Sequence, residues 1–248
     1  MDKIMVQGGS SNEEKERREA FVNLFHQTPI PSGELLSNLG LYLNRQTLAR
    51  IFFMYELYQK IINVHGVIME FGVRWGQNLA LFESLRGIFE PYNYNRKIIG
   101  FDTFSGFPHV SEKDGVKVNQ GDYTVVENYE TYLEKILFYH EAESPISHKK
   151  KFELIKGDAI QTICTYMEEH TETIVSLAYF DFDLYAPTKA CLEAIRNRLT
   201  KGSIIAFDEL NTPEFPGETI AVHEVLGINK MAIRRSPHNP LCAYVVVE

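Results

Sequence analysis

Short apolar runs separated by longer, helix-compatible stretches recur along the chain from residue 67 onwards. Runs rich in β-branched and aromatic side chains and bounded by turn residues are typical of buried strands. Strands that alternate with helices indicate a mostly parallel sheet covered on both faces. We predict five such strands and two closing strands, at residues 67–69, 97–101, 152–155, 174–180, 203–207, 231–235 and 243–247.

Apolar residues at helical spacing mark the helices. Residues 34–63 carry this pattern and predict one or two helices before the sheet begins. Further helices are expected around residues 78–85, near residues 129–139, and after the fourth strand, where Pro187 lies in the first helical turn.

These patterns divide the chain into three regions. Residues 1–20 are polar and charged and predict a flexible N-terminal arm, and residues 21–65 supply the first helices. Residues 66–248 form an α/β domain, in which residues 104–150 are a long polar insertion between two strands.

Long insertions often serve as substrate lids or as contacts between subunits. We expect residues 109–126 and the helices near residues 48–62 to close over the substrate. The same insertion and helices predict a homo-oligomer contact. Tyr123, Tyr129 and Tyr132 in the insertion would either stack on a sugar or base, or pack a lid or dimer contact.

Composition fits one large soluble domain. The 248 residues are 44% hydrophobic and 23% charged, and the chain lacks the run of about 18 apolar residues that predicts a membrane span. A net charge of −8 argues against nucleic acid or anionic membranes as partners. The three cysteines lack metal-site spacing and the N-terminus lacks a signal segment, so a cytoplasmic location is expected.

Acidic residues follow each of the first five predicted strands. In a doubly wound sheet, ligands bind beyond the carboxyl ends of the strands, so these residues share one edge. Any one of them could cap a helix or lie in a solvated turn, but the whole set at one edge favours a function. The residues are Glu70, Asp102, Asp158, Asp181, and the pair Asp208 and Glu209.

The first turn, residues 70–76, reads Glu-Phe-Gly-Val-Arg-Trp-Gly. Gly72 and Gly76 allow a close approach of the backbone to a ligand, although strand-to-helix packing would also explain them. The pattern is neither the dinucleotide fingerprint nor a phosphate-binding P-loop. Glu70 suits a cationic ligand such as a sulfonium amino acid, and Asp102 suits ribose hydroxyls.

Two pairs of carboxylates follow neighbouring predicted strands. Asp181 and Asp183 come after the fourth strand, and Asp208 and Glu209 come after the fifth. Burying like charges is costly without a compensating cation. Carboxylate oxygens suit Mg²⁺, Mn²⁺ or Ca²⁺ rather than zinc, so the sequence predicts a divalent-metal site. Helix capping and surface charge are the alternative explanation.

Three segments resemble the macrocin O-methyltransferase family, a branch of the class I S-adenosylmethionine methyltransferases that act on sugars of antibiotics and on nucleotide-linked deoxysugars. The segments are residues 67–76, residues 100–108 and the Asp-x-Asp-Leu-Tyr motif at residues 181–185, and the similarity spans about residues 48–230. The resemblance implies a Rossmann-like, doubly wound, seven-stranded sheet with a reversed last strand.

The resemblance also implies ligands for particular residues. Asp181, Asp208 and Glu209 would hold the divalent ion, expected to be Mg²⁺, although the family commonly has two aspartates where this chain has Asp208-Glu209. Asp183 matches the general base of the family, and His109 beside the insertion is the second candidate. The S-adenosylmethionine site would comprise Glu70, Gly72, Arg74, Gly76, Asn78, Asp102, Thr103, Ser105, Asp158 and Asp181.

The expected function is a metal-dependent S-adenosylmethionine:sugar O-methyltransferase that methylates a deoxysugar hydroxyl, either nucleotide-linked or on a natural product. The ion would lower the pKa of the hydroxyl and fix its position, and Asp183 would take its proton. Two alternatives stay open. One is a metal-dependent glycosyltransferase, because Asp-x-Asp also binds metal and nucleotide sugars. The other is a cofactor-binding subunit without catalysis.

Overall fold

The computed structural model describes residues 11–248, which fall into two compact units. The first unit extends to Ala49, and the second runs from Arg50 to Glu248. Of the predicted flexible arm, residues 1–10 lie outside the described residues, and the remainder is helical rather than an arm. The reason is a capping box, in which Ser11 accepts a hydrogen bond from the Glu14 N–H and Glu14 accepts one from the Ser11 N–H.

The first unit contains short helices. Its core contact is an edge-to-face pair of the Phe25 and Tyr42 rings, whose centroids lie 4.9 Å apart, and the Tyr42 hydroxyl donates to Thr28 Oγ1 at 2.7 Å. Its elements are α1 (Asn12–His26), α2 (Ser32–Leu35) and a 3₁₀ helix (Leu36–Tyr42).

The second unit is built on one sheet. Its strands among the described residues are β1 (Val67–Phe71), β2 (Ile98–Asp102), β3 (Phe152–Lys156), β4 (Val175–Phe180), β5 (Leu199–Phe207), β6 (Ile233–Arg235) and β7 (Ala243–Val246). They lie in the order β3-β2-β1-β4-β5-β7-β6, and β7 runs antiparallel to both of its neighbours. The prediction of a doubly wound seven-stranded sheet with a reversed last strand is confirmed.

Helices cover both faces of this sheet. Those whose described residues pack on it are α3 (Arg45–Ile61), α4 (Gln77–Phe89) and α5 (Tyr129–Glu143) on one face, and α6 (Ala159–Glu169), α7 (Tyr185–Ile195) and α8 (Pro216–Val225) on the other. The boundary between the units precedes the predicted one at residue 65. The reason is that Phe53, Leu57 and Ile61 of α3 are fully buried in the core of the second unit.

Strand residues alternate between the two faces, apart from an irregularity between Val175 and Leu177 of β4. On the face of α6 and α7, four phenylalanines form a lateral row across β2, β1, β4 and β5, with neighbouring ring centroids 4.7–5.3 Å apart. The row consists of Phe101, Phe71, Phe180 and Phe207, which are direct partners in the strand register. Because the four residues are register partners, the four strands end at this row or one residue after it.

Arg96 ties the opposite edge of the sheet together. Its guanidinium is 2% exposed and donates to both carboxylate oxygens of Glu90, to Ser176 Oγ at 2.8 Å and to three backbone carbonyls. Tyr58 donates to the same Glu90 carboxylate at 2.6 Å. Because every partner is buried or nearly so, the network is costly to break at any one member.

The described residues contain neither a membrane-spanning helix nor a disulfide bond. The described residues form no helix that is long and apolar enough to cross a membrane. Cys164, Cys191 and Cys242 are free thiols.

Replacing Arg96 by methionine should lower the free energy of unfolding by about 3–5 kcal/mol, because Glu90 is left as a buried charge without its partner. Urea titration followed by circular dichroism measures this change. The matched control is Lys97→Met, since Lys97 pairs with Glu153 while its side chain is 37% exposed, and it should cost less than about 1 kcal/mol. Equal losses in the two variants would contradict the role given to Arg96.

Candidate active site

Three carboxylates leave the sheet at one level, directly after the phenylalanine row. Asp102 is the last residue of β2, and Asp181 and Asp208 follow β4 and β5 at once. Ladder hydrogen bonds continue at this level, where Asp181 N donates to Phe71 O at 2.8 Å and Asp208 N donates to Phe180 O at 2.9 Å. Parallel pairing therefore brings these acidic residues together, as the sequence predicts.

Arg50 of α3 neutralises part of this charge. Its guanidinium donates from Nη1 to Asp181 Oδ2 at 3.2 Å and from Nη2 to Asp208 Oδ2 at 2.7 Å. Burial lowers the pKa of Arg50, but its acidic neighbours Tyr179, Asp208 and Asp181 raise it by more, so the guanidinium stays charged. Sequence reasoning missed Arg50, which lies 131 and 158 residues before its two partners.

The other oxygen of Asp208 is also engaged. Asp208 Oδ1 accepts from the Tyr179 hydroxyl at 2.6 Å and from Cys242 Sγ at 3.3 Å. Tyr179 lies fully buried inside β4. Side chains from α3, β4 and the segment before β7 therefore hold the two oxygens of Asp208.

Negative charge at this edge exceeds what Arg50 offsets. Burial and the charge of Asp208 raise the pKa of Asp181 to about 7, and the same two causes raise the pKa of Glu209 to about 7. Glu209 Oε2 is buried and accepts no hydrogen bond from the residues that the structure describes. The centre would therefore gain from further positive charge.

Asp183 lies at the centre of the acidic cluster. It is 9% exposed, and burial followed by the charges of Asp181 and Glu209 raises its pKa well above the usual value. Its φ of 60° places it in the left-handed region, which costs a non-glycine residue stability and is frequent at functional sites. The nearby Tyr123 hydroxyl of the insertion opposes part of this rise in the pKa of Asp183.

Tyr123 connects the insertion to this centre. The Arg74 guanidinium carbon lies 4.8 Å from the centroid of its ring, and the Phe107 ring lies 5.1 Å away. The other two tyrosines serve packing instead. Tyr129 meets Trp75 edge-to-face at 4.8 Å, and Tyr132 packs against Tyr129 at 5.7 Å.

Glu218 is a second site residue that the sequence did not reveal. It lies in the first turn of α8, is 1% exposed, and its Oε1 accepts from the Phe182 N–H at 3.3 Å. Phe182 lies between Asp181 and Asp183 in the chain. Burial, then the charges of Asp183 and Asp181, raise the pKa of Glu218 well above its usual value, so it belongs to the same cluster.

Glu70 and Asn78 form a polar pair beside the first turn. Both are buried, and Asn78 Nδ2 donates to Glu70 Oε1 at 2.8 Å. Within the described part of the chain, Glu70 Oε2 and Asn78 Oδ1 accept no hydrogen bond. Burial and the charge of Asp181 raise the pKa of Glu70 although Asn78 opposes this. The unused carboxylate oxygen of Glu70 and the unused amide oxygen of Asn78 together suit a positively charged hydrogen-bond donor.

Asp102 organises the turns around this pair. Its Oδ2 accepts from the Arg74 N–H at 2.8 Å and its Oδ1 from the Phe104 N–H at 2.6 Å. Gly72 has a φ of 94°, and a Cβ there would collide with the carbonyl of Asp181. Gly76, with a φ of 77°, begins α4 and packs against Leu133. Close packing within the protein thus accounts for both glycines.

The remaining predicted residues have local partners. The Thr103 hydroxyl donates to the Gly106 carbonyl and accepts from the Ser105 N–H, while Ser105 is exposed. Asp158 caps α6 by accepting from the Ile160 N–H at 3.0 Å, which was the simpler explanation of that carboxylate. His109, the second candidate base, is exposed in the insertion.

The three predicted metal ligands are not arranged as a metal site. Among residues 11–248, no three histidine, cysteine, aspartate or glutamate side chains are placed so that they could hold an ion. The physical reason is Arg50, which binds the Oδ2 atoms of both Asp181 and Asp208.

Solved structures of known enzymes share this architecture. The crystal structure of CalS11, calicheamicin methyltransferase, is 44% identical with a TM-score of 0.93, over 99% of this chain and 97% of that chain. The apo structure of CalS11, TDP-rhamnose 3′-O-methyltransferase of calicheamicin biosynthesis, is 43% identical with a TM-score of 0.85, over 96% of each chain. The O-methyltransferase NovP shares the fold at 18% identity, with a TM-score of 0.61 over 80% of this chain and 79% of that chain. No protein-family model and no curated protein matches.

This chain belongs to the class I S-adenosylmethionine-dependent O-methyltransferases. The resemblance drawn from the three sequence motifs is therefore confirmed, and so is the enzyme class. The two alternatives, a glycosyltransferase and a subunit without catalysis, are set aside by the same similarity, which extends over nearly the whole chain. For this methyltransferase, the acidic edge of the sheet is the candidate active site.

Replacing Asp102 by alanine should weaken binding of S-adenosylhomocysteine at least tenfold, or by about 1.4 kcal/mol. The variant loses an acceptor for the nucleoside and releases the N–H groups of Arg74 and Phe104 that hold the two turns. Isothermal titration calorimetry measures the change. Asp158→Asn is the comparison, because asparagine still caps a helix. Unchanged affinity in Asp102→Ala would remove Asp102 from the site, and a loss in Asp158→Asn would place Asp158 in it.

Proposed function

We propose that this methyltransferase transfers a methyl group from S-adenosylmethionine to a hydroxyl of a deoxysugar carried by a nucleoside diphosphate. The observation that carries the proposal is the near full-length similarity to CalS11, TDP-rhamnose 3′-O-methyltransferase, at 43% identity. The acidic centre of this chain supports the same chemistry, because a carboxylate next to the acceptor site can take the proton of a hydroxyl.

The polar pair beside the first turn supports a place for the methionine part of the donor. Glu70 Oε2 and Asn78 Oδ1 would accept hydrogen bonds from its ammonium group, which would also offset the buried charge of Glu70. Arg74 Nε is a buried donor that has no acceptor among the described groups, and the carboxylate of the donor fits it. The ammonium and carboxylate groups of the methionine part would thus bind protein atoms that have no other hydrogen-bond partner among the described residues.

Asp102 would hold the ribose. Each of its oxygens accepts one backbone N–H, and a carboxylate oxygen has a second lone pair for a hydroxyl donor. Gly72, Gly76, Thr103 and Ser105 contribute through the shape of the two turns that Asp102 joins. The negative charges of Asp181 and Asp102 also favour a ligand that carries a sulfonium.

Asp183 would be the general base. As the acceptor oxygen attacks the methyl carbon, the new C–O bond forms while the C–S bond breaks, and the hydroxyl proton passes to the Asp183 carboxylate. The products are the methyl ether, S-adenosylhomocysteine and protonated Asp183. Burial and neighbouring negative charge raise the proton affinity of Asp183, and the nearby Tyr123 hydroxyl opposes part of that rise.

The carboxylates are of the kind that binds a divalent metal ion, but among the described residues they are not arranged to hold one. Hard carboxylate oxygens are the ligands that Mg²⁺ prefers. Asp181 and Asp208, however, have Arg50 between them, and this leaves Glu209 as the predicted ligand with an unused buried oxygen. We therefore assign no step of methyl transfer to a metal ion. Lid closure and a homo-oligomer stay predictions.

Methyl transfer should occur to dTDP-linked deoxyhexoses and be at least tenfold slower, in kcat/KM, with the same sugars free in solution. Binding energy from the nucleotide, which takes no part in the chemistry, positions the hydroxyl. Mass spectrometry of reactions with S-adenosylmethionine follows the product. The opposite preference, for a free sugar or a completed glycoside, would contradict the assignment of the acceptor while leaving the enzyme class intact.

Replacing Asp183 by asparagine should lower kcat by about 10²–10⁴-fold, because the amide cannot take the proton. Asparagine tolerates the left-handed backbone at this position, so the variant should fold. Calorimetry with S-adenosylhomocysteine and the thermal midpoint serve as controls and should match the wild type. Retained turnover would exclude Asp183 as the base and direct attention to His109.

A further inference from the structure

We propose that Arg50 and a divalent ion compete for Asp181 and Asp208, so that an ion enters the acidic centre only after the Arg50 guanidinium has left. This inference rests on the proposed function for the identity of the centre. It concerns a step before catalysis and makes Arg50 the residue that sets how tightly the enzyme binds metal.

The geometry of Arg50 is that of a bridging cation. Two separate nitrogens of one guanidinium reach the Oδ2 atoms of carboxylates on neighbouring strands, at 3.2 Å and 2.7 Å. A cation between the two strand ends is what the acidic pairs require, and a planar guanidinium satisfies two carboxylates at once. The position that the sequence gives to a metal ion is therefore already taken by a side chain.

Both oxygens of Asp208 already accept hydrogen bonds within the described chain. Its Oδ1 accepts from Tyr179 and Cys242, and its Oδ2 accepts from Arg50. An ion that bound Asp181 or Asp208 next to the guanidinium would also face a like charge at short range in a mostly buried site. Simultaneous binding is disfavoured on both grounds.

Arg50 is able to leave without unfolding the helix that carries it. Its side chain is 30% exposed, whereas the residues that anchor α3, such as Phe53 and Leu57, are fully buried. A long arginine stem reaches other positions by rotamer changes alone. Glu209, whose Oε2 is buried without a partner in the described chain, is a ready further ligand for an ion that replaces Arg50.

Binding of Mn²⁺ alone tests the competition directly. Titrations followed by electron paramagnetic resonance give the dissociation constant for wild type, Arg50→Gln and Arg196→Gln, each in the absence of substrates. Arg50→Gln should bind Mn²⁺ at least tenfold tighter than wild type. Arg196 is exposed just after α7, so Arg196→Gln removes the same charge outside the centre and should stay within about twofold of wild type.

Two results would overturn the proposal. Equal or weaker Mn²⁺ binding by Arg50→Gln would show that the guanidinium does not compete with the ion. Absence of Mn²⁺ binding in both the wild type and Arg50→Gln would show that there is no ion for Arg50 to exclude. Methyl transfer is not the readout, so an enzyme with a different acceptor, which would defeat the proposed function, gives the same binding result.

Crystals of the wild type soaked with Mn²⁺ provide a measurement that needs no variant. Wherever Mn²⁺ density lies on Asp181 and Asp208, the Arg50 guanidinium should be displaced from both. Density for the ion with Arg50 still bridging the two carboxylates would contradict competition, even if Arg50→Gln failed to fold.

Discussion

Carboxylates crowd the carboxyl edge of the sheet, and the architecture around them depends on how that charge is offset. Arg50 bridges Asp181 and Asp208 from α3, while Tyr179 and Cys242 hold the second oxygen of Asp208 from β4 and from the segment before β7. The offset is incomplete, because the pKa values of Asp181 and Glu209 are still raised to about 7. A cationic donor substrate is suited to such a site.

The position of the acidic edge follows from the sheet itself. Four phenylalanines that are direct register partners stack across the central strands, and the functional residues are the next positions of those strands. The parallel register places all of these residues side by side at the end of the sheet. A shift of one strand by one residue would turn its side chains to the other face. The core and the site are thus set by the same register.

The proposed donor and acceptor sides of the site are built differently. On the donor side, Asp102 joins two turns through backbone N–H groups, so the cradle is a property of the main chain. On the acceptor side, the insertion contributes side chains. The Tyr123 hydroxyl lowers the pKa of Asp183, against the larger effect of burial, and Asp114 accepts a hydrogen bond from the Tyr185 N–H, which follows the Asp-x-Asp motif.

The sequence by itself determined the seven strands, most helices and the acidic residues at the strand ends. These follow from local periodicity and from the rule that parallel strands share one carboxyl edge. Tertiary structure alone decided that α3 belongs to the core and that Arg50 and Glu218 join the centre. Such pairings depend on packing between residues up to 158 positions apart, which no local pattern encodes.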